Sequence, residues 1–119
     1  MSEVKSFRDL LIWQRSMELS ELVYEVTRPF PVEERYGLTS QLRRAVVSIP
    51  SNIAEGYGRQ SRTEYSRFLK IAWGSLYELQ TQLDLAKRLG IMDQASWENL
   101  EQLAREIERM TTSLINKLS

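Results

Sequence analysis

The chain has 119 residues, of which 42% are hydrophobic, and its 16 basic and 16 acidic residues cancel to a formal net charge of zero. This length and composition predict one soluble, globular domain over residues 1–119 with a single hydrophobic core. Because the sequence contains no cysteine and no histidine, it excludes disulfides, histidine-dependent catalytic pairs, and the usual zinc and di-iron sites.

The N-terminal stretch MSEVKSFRDL is polar, and no apolar run of the sequence approaches the ~20 residues that a membrane span needs. We therefore expect a cytoplasmic protein with no signal peptide, no membrane contact, no metal and no cofactor. Since the side chains that most enzymes use for catalysis are missing, we also expect that the protein is not an enzyme.

The first predicted helix runs from about Asp9 to Arg28. Its apolar residues recur at helical spacing. Ser6 with Asp9 resembles a capping box, in which a side-chain oxygen accepts a hydrogen bond from a free amide of the first turn. The prolines of RPFP (residues 28–31) end the helix, because proline disfavours helical backbone at the residue before it.

The second predicted helix runs from about Thr39, its expected cap, to Glu55. Pro50 lies inside it, where proline removes the donor for the carbonyl four residues earlier, at a cost of about 3 kcal/mol. The apolar spacing continues across this proline, so we expect the helix to bend and continue. The turn GYGRQS follows, and Gly56 or Gly58 is expected to have the positive φ that commonly ends helices.

The third and fourth predicted helices have the most regular apolar spacing. Ser61 and Glu64 form a predicted capping box at the start of the third helix, Gly90 ends it, and Asp93 begins the fourth. Short connections favour antiparallel neighbours. The sequence therefore predicts an all-α fold, an up-down-up-down antiparallel four-helix bundle, with an extended coiled coil as the rival.

Three polar residues, Ser48, Asn52 and Glu55, fall on one flank of the second helix around Pro50. We interpret Asn52 and Glu55 as groups that satisfy the backbone freed by the proline or that bond to a neighbouring helix. Two alternatives stay open. One is a phosphate-binding loop at Gly58, although its spacing matches no known phosphate motif. The other is catalysis by Glu55, for which the sequence offers no nucleophile or metal partner.

Gly74 lies on the third helix opposite the apolar stripe, beside Ile71, Trp73 and Ser75. Glycine in a helix costs about 1 kcal/mol relative to alanine, and at this position it contributes nothing to the core. A close approach by a second copy of the chain would explain it. The alternative is an unselected surface glycine.

Residues 41–70 have an excess of positive charge on a chain that is neutral overall. Since the second and third helices are neighbours, we expect these side chains to converge on one surface at the turn between them and to contact nucleic-acid phosphates. A solvated face with ion pairs inside each helix is the alternative. The basic residues are Arg43, Arg44, Arg59, Arg62, Arg67 and Lys70.

The run SIPSNIAEGYGRQS, followed by EYSRFLKIAWGSLYELQTQLDLAKRLG, resembles the signature of the bacterial four-helix-bundle family of the 23S ribosomal RNA intervening sequence protein. The upstream segments LLIWQRSMEL, VYEVTRPFP and YGLTSQLRRAVVSIPSNIAEG extend the resemblance over nearly all of residues 7–118. One departure is Gln80, where the family pattern often has an acid. The family motif falls on a set of candidate interface residues: Ser48, Pro50, Asn52, Glu55, Gly56, Gly74 and Ser75.

The resemblance implies a left-handed bundle that assembles as a ring-shaped homopentamer, with no established enzymatic activity and no agreed catalytic residues. Some members are encoded inside insertions in ribosomal RNA genes. Similar proteins accompany diversity-generating retroelements, where a basic pentamer contacts reverse transcriptase and nucleic acid. Two functions therefore stay open. One is a homo-oligomer whose basic face binds RNA, DNA or a nucleic-acid-handling partner such as a reverse transcriptase, and the other is a protein-only scaffold.

Overall fold

Four α-helices make up most of the chain in the computed structural model, which describes residues 3–119. The helices are α1 (Leu11–Thr27), α2 (Leu38–Gly58), α3 (Arg62–Arg88) and α4 (Gln94–Leu118), with short 3-10 helices at Phe7–Asp9 and Val32–Glu34. Residues 3–119 contain no strand, so the all-α prediction is confirmed. Met1 and Ser2, which belong to the predicted domain, lie outside the described residues.

The helices pack around one core. Close backbone contacts join α1 to α2, α2 to α3, α3 to α4 and α4 to α1, whereas the diagonal pairs make none within residues 3–119. Leucine, isoleucine and valine from all four helices, such as Leu19, Leu42, Leu76 and Ile107, are fully buried between them. This closed arrangement is a four-helix bundle. Its extents of 42 × 27 × 21 Å are those of a compact domain and exclude the extended coiled coil.

Hydrogen bonds between α2 and α3 show how these two helices run relative to each other. Gln82 Nε2 donates to Gln41 Oε1 at 3.4 Å, and Ser48 Oγ lies 2.9 Å from Ser75 Oγ. Residue numbers therefore rise along α2 while they fall along the facing side of α3. This order supports the predicted up-down-up-down arrangement, which stays a prediction together with the left-handed twist.

Most of the predicted helix ends are confirmed. Ser6 and Asp9 form a complete capping box, although it caps the first 3-10 helix and α1 begins only at Leu11. Gly90 ends α3 with a φ of 75°. Asp93 caps α4, because its Oδ1 accepts a hydrogen bond from the Ser96 amide at 2.7 Å.

The start of α3 has half of the predicted capping box. Ser61 Oγ accepts a hydrogen bond from the Glu64 amide at 3.3 Å. The Glu64 carboxylate does not return to the Ser61 amide, because it accepts two hydrogen bonds from Arg67 at 3.0 and 3.1 Å. A competing ion pair one turn along the helix explains the difference.

The predicted ends of α2 are wrong at both termini. The helix begins at Leu38, so Thr39 is a buried residue inside it, and the Leu38 amide donates to Glu34 Oε1 at 3.0 Å. At the other end, α2 continues through Gly58, and the positive φ of 55° falls on Gln60.

Candidate functional site

Ser48, Asn52 and Ser75 meet where α2 packs against α3. The Ser48 and Ser75 hydroxyl oxygens are 2.9 Å apart, and Asn52 Nδ2 donates to the Ser48 carbonyl at 2.8 Å and to its hydroxyl at 2.9 Å. All three side chains are partly buried. We call this set the polar track. It ties α2 to α3 through neutral hydrogen bonds, and none of its side chains is ionisable.

Pro50 is buried inside an α2 that continues past it, as predicted. The carbonyl left without its helical donor is that of Val46, four residues earlier. The Ser20 hydroxyl of α1 donates to the Ser16 carbonyl of its own helix at 2.9 Å and also lies 3.3 Å from the Val46 carbonyl, so its single proton is shared between the two acceptors. The prediction that Asn52 or Glu55 satisfies this group is therefore wrong.

One feature of the sequence could have identified Ser20, although the prediction did not use it. Ser16 and Ser20 stand at helical spacing on the core face of α1, and both are buried. A hydroxyl on a core face needs a hydrogen-bond partner. The Ser16 hydroxyl donates to the Ile12 carbonyl of its own helix at 2.7 Å, whereas that of Ser20 also reaches α2.

Glu55 lies outside the polar track. It is exposed, and its Oε2 accepts a hydrogen bond from Arg59 Nη2 at 2.7 Å, one turn along the chain. The pairing is an ordinary surface contact between i and i+4, which contributes little to stability. The geometry around Glu55 is that of a solvated ion pair.

Gly56 has a packing role rather than a conformational one. A Cβ added there would lie 2.7 Å from Phe68 Cβ and 3.3 Å from the Tyr65 carbonyl oxygen. The missing side chain lets α2 approach the start of α3. This close approach explains why glycine occupies a helical position that is not a turn.

Gly74 has no such neighbour inside the chain. It is exposed on α3, and a Cβ added there would meet no atom within 4 Å. Ile71 and Tyr77, on the same helix, are exposed by 42% and 44%. The outer side of α3 is therefore open at Gly74, with exposed apolar side chains one turn before and one turn after it.

Gln80, the departure from the family pattern, makes a contact between α3 and α4. Its Nε2 donates to Glu101 Oε1 at 3.2 Å, and Arg105 Nε donates to the same oxygen at 3.1 Å. An acid at position 80 would place a second carboxylate against Glu101. The amide makes this contact attractive without requiring another cation.

The six predicted basic residues form two separate groups, so the prediction that they converge on one surface is wrong. Arg43 and Arg44 lie on the first half of α2, whereas Arg59 lies just beyond its last residue. At a rise of about 1.5 Å per residue, Arg43 and Arg59 are about 24 Å apart along the helix axis. The remaining three, Arg62, Arg67 and Lys70, are at the start of α3.

At the turn between α2 and α3, some of the positive charge is neutralised. Arg59 pairs with Glu55 and Arg67 pairs with Glu64. The hydrogen bond from Arg67 lowers the pKa of Glu64 below its ordinary value.

The other cations of this turn are not neutralised by an ion pair within residues 3–119. Arg62 Nη2 donates to the Lys117 carbonyl at 2.7 Å, an acceptor without charge, and Lys70 is exposed.

The other basic group adjoins a groove between the end of α1 and the start of α2. Arg43 Nε donates to Thr27 Oγ1 at 2.9 Å, and its guanidinium lies 4.5 Å from the centre of the Tyr24 ring. Arg44 is exposed beside it. The groove also contains Arg35 and Tyr36, which the sequence prediction missed because they lie in the connection before α2.

The remaining ionisable contacts are scattered over the surface. The hydrogen bond from Arg15 lowers the pKa of Glu106, and the hydrogen bond to Glu108 raises the pKa of Tyr77. Burial raises the pKa of Tyr65. Within residues 3–119 there is no cluster of three or more potential metal ligands. In the same part of the chain, no helix combines the length and hydropathy that crossing a membrane requires.

The comparisons with known proteins agree with this fold. The family model described as 23S rRNA-intervening sequence protein matches residues 8–113. The chain is also similar to a protein of unknown function from the S23 ribosomal protein family of Bacteroides thetaiotaomicron VPI-5482. That likeness has a TM-score of 0.80 and 23% sequence identity, and covers 88% of this chain and 98% of the other. At this identity it shows the fold alone. Comparison with curated proteins gives no match.

Proposed function

Since the chain belongs to the 23S rRNA-intervening sequence protein family, we propose that it is a non-enzymatic, homo-oligomeric four-helix-bundle protein that binds RNA through its basic residues. Its proposed location is the cytoplasm. The basic residues would contact phosphates, which position a nucleic acid without reading its sequence.

The observation that carries this proposal is the state of the predicted phosphate contacts. Of the six, Arg59 and Arg67 are in ion pairs, and the other four are in none within residues 3–119. Arg43 and Arg62 donate to neutral oxygens instead, so their charge is held in place without being cancelled.

Two apolar surfaces support the homo-oligomer. Met17 is exposed by 38% on the outer side of α1, whereas Ile71 and Tyr77 are exposed on α3 around the open position of Gly74. A ring requires head-to-tail contact between two different surfaces of the same chain. The proposed state is the homopentamer that the family resemblance implies.

Light scattering tests the assembly. We expect a mass close to five times that of the 13.9 kDa chain. Gly74→Arg should lower this mass, whereas Gly58→Arg, the same change at another exposed glycine with open space around it, should leave it unchanged. A monomeric wild-type protein at micromolar concentration would refute the assembly proposal.

Binding of the intact oligomer to structured RNA tests the nucleic-acid proposal. We expect affinity to fall steeply with salt, because phosphate contacts release counterions. Combining Arg62→Gln with Lys70→Gln should weaken binding. Arg88→Gln removes a positive charge elsewhere on α3 and should not. The same titration with DNA shows whether the surface distinguishes the two polymers.

The second candidate is a protein-only scaffold, which the exposed apolar side chains favour. A reverse transcriptase is one protein partner that the family resemblance implies. If the intact oligomer shows no RNA or DNA binding at low salt, the nucleic-acid proposal fails and the scaffold takes its place.

A further inference from the structure

The groove between α1 and α2 has a composition that differs from the rest of the surface. It has a volume of about 610 Å³ and is lined by arginines, tyrosines and small polar residues, with no carboxylate among them. Small-ligand sites have volumes of roughly 300–1,000 Å³. The chain has equal numbers of acidic and basic residues, so a groove lined by arginines without a carboxylate is locally positive. Such a groove favours the binding of an anion.

The arginines of this groove are placed in two ways. Arg43 is fixed by its hydrogen bond to Thr27 Oγ1 at 2.9 Å and by its contact with the Tyr24 ring. Arg35 and Arg44 line the same groove and are exposed, and neither is in an ion pair within the described part of the chain.

Within residues 3–119, no carboxylate near the groove is in an ion pair with its arginines, although Glu78 of α3 lines a neighbouring groove together with Arg44. Glu34 accepts a hydrogen bond from the Leu38 amide at 3.0 Å. Glu21 and Glu25 line the adjoining groove along α1 with Arg28. Arg35 and Arg44 are therefore available to a phosphate.

Tyr36 adds an aromatic surface to this charge. It lines the groove, and its side chain is 89% exposed, the highest value among the large hydrophobic residues exposed in residues 3–119. An aromatic ring that the fold leaves in water has no role in the core. Stacking of a nucleic-acid base on such a ring contributes about 1–3 kcal/mol and tolerates any base.

We propose that this groove binds a nucleotide unit of single-stranded RNA, with the base stacked on Tyr36 and the neighbouring phosphate held by Arg35 and Arg44. Arg43 contributes positive charge from a fixed position. The inference rests on the proposed RNA-binding function and gives it a site at the opposite end of α2 from the turn. It also predicts a preference for unpaired RNA, because bases in a duplex are not free to stack on a side chain.

The test uses the full-length oligomeric protein and a fluorescein-labelled 12-nucleotide oligouridine, with binding followed by anisotropy at several salt concentrations. Tyr36→Leu should weaken binding by roughly 5- to 150-fold, and Tyr36→Phe should keep wild-type affinity. Because the lost interaction is stacking, Tyr36→Leu should not alter the dependence of affinity on salt. Arg44→Gln should instead reduce the slope of log K against log salt by about 0.7 per site.

Matched variants and competitors complete the design. Arg88→Gln removes one positive charge from another exposed site on the bundle, so this variant should bind as the wild type does. Uridine monophosphate should compete for the groove. Uridine and inorganic phosphate at the same concentration should compete less, because each supplies half of the contacts.

The outcomes separate this inference from the function on which it rests. If Tyr36→Leu and Arg44→Gln both bind oligouridine as the wild type does, while Arg62→Gln with Lys70→Gln does not, RNA binding stands and the groove is overturned. Competition by inorganic phosphate equal to that by uridine monophosphate overturns the stacked base. If wild-type protein binds no RNA at low salt, both proposals fail.

Discussion

The hydrogen bond between Ser20 and the carbonyl freed by Pro50 gives a quantitative prediction. Val46 is fully buried, and its carbonyl lacks the amide donor that any residue other than proline at position 50 would supply. Ser20→Ala removes the hydroxyl that the Val46 carbonyl shares with the Ser16 carbonyl, and the buried Val46 acceptor is left unsatisfied. We expect this to lower the free energy of unfolding by about 1–3 kcal/mol.

A double-mutant cycle with Pro50→Ala isolates the cause. Alanine at position 50 restores the helical N–H to the Val46 carbonyl, so the cost of Ser20→Ala should fall below about 1 kcal/mol in that background. The coupling energy between the two positions should then be of order 1–2 kcal/mol. Denaturant unfolding at one fixed protein concentration measures all four variants, because assembly makes apparent stability depend on concentration.

Ser16→Ala is the matched control. Ser16 is also a buried serine on the core face of α1, but its hydroxyl donates to the Ile12 carbonyl within the same helix. Its loss strands no group of α2, so its effect should be the same whether position 50 is proline or alanine. If Ser20→Ala and Ser16→Ala cost the same in both backgrounds, the reasoning about the freed carbonyl is wrong.

Two further predictions concern packing and pH. Gly56→Ala should destabilise the fold by about 1–3 kcal/mol, because its Cβ would lie 2.7 Å from Phe68 Cβ; Gly58→Ala, in open space, should be neutral or slightly stabilising in the same thermal melts. The hydrogen bond from Arg15 holds the pKa of Glu106 below its ordinary value of 4.5. The ionised Glu106 carboxylate therefore stabilises the fold fully above pH 4.5, and this stabilisation is lost as the pH falls through the lower pKa of the folded state. Glu106→Gln should therefore be less stable than wild type at neutral pH and lose less stability on acidification. Glu21→Gln is the exposed control, and equal acid sensitivity of Glu106→Gln and wild type would contradict the assignment.

The sequence was sufficient for features that depend on neighbouring residues. The four helices, the Ser6–Asp9 box, the Asp93 cap and the end of α3 at Gly90 all follow from side chains within a few positions of one another. Pro50 was also placed correctly inside a continuing helix, since apolar spacing on both sides of it is a local pattern.

Features that depend on contacts between helices were predicted less well. Gly56 was assigned to a turn because glycine tolerates positive φ, but its reason for being glycine is the approach of Phe68 from α3. Similarly, the donor for the Val46 carbonyl comes from Ser20, 26 residues away in sequence. Proximity across helices has no signature in the spacing of either helix alone.

The predicted convergence of the basic residues failed for a geometric reason. Charge was summed over residues 41–70 as though they formed one site, yet this segment contains most of α2 and the first part of α3. Because Arg43 and Arg44 lie on the first half of α2 and the turn follows its last residue, these two arginines are far from the turn. The net charge of a stretch of sequence describes a single surface only when that stretch lies within one helix.

The contacts of α2 that stabilise the fold involve different residues from those proposed to bind RNA. The middle of α2 is joined to α1 through the Val46 carbonyl and to α3 through the polar track at Ser48. The groups proposed to bind RNA lie before α2, on its first turns and at the start of α3. Substitution of Ser20 or Pro50 should therefore change the free energy of unfolding, whereas Arg44→Gln should change affinity for RNA while leaving the fold intact, because Arg44 is exposed and is not part of the buried core. Loss of stability in Arg44→Gln would contradict this separation.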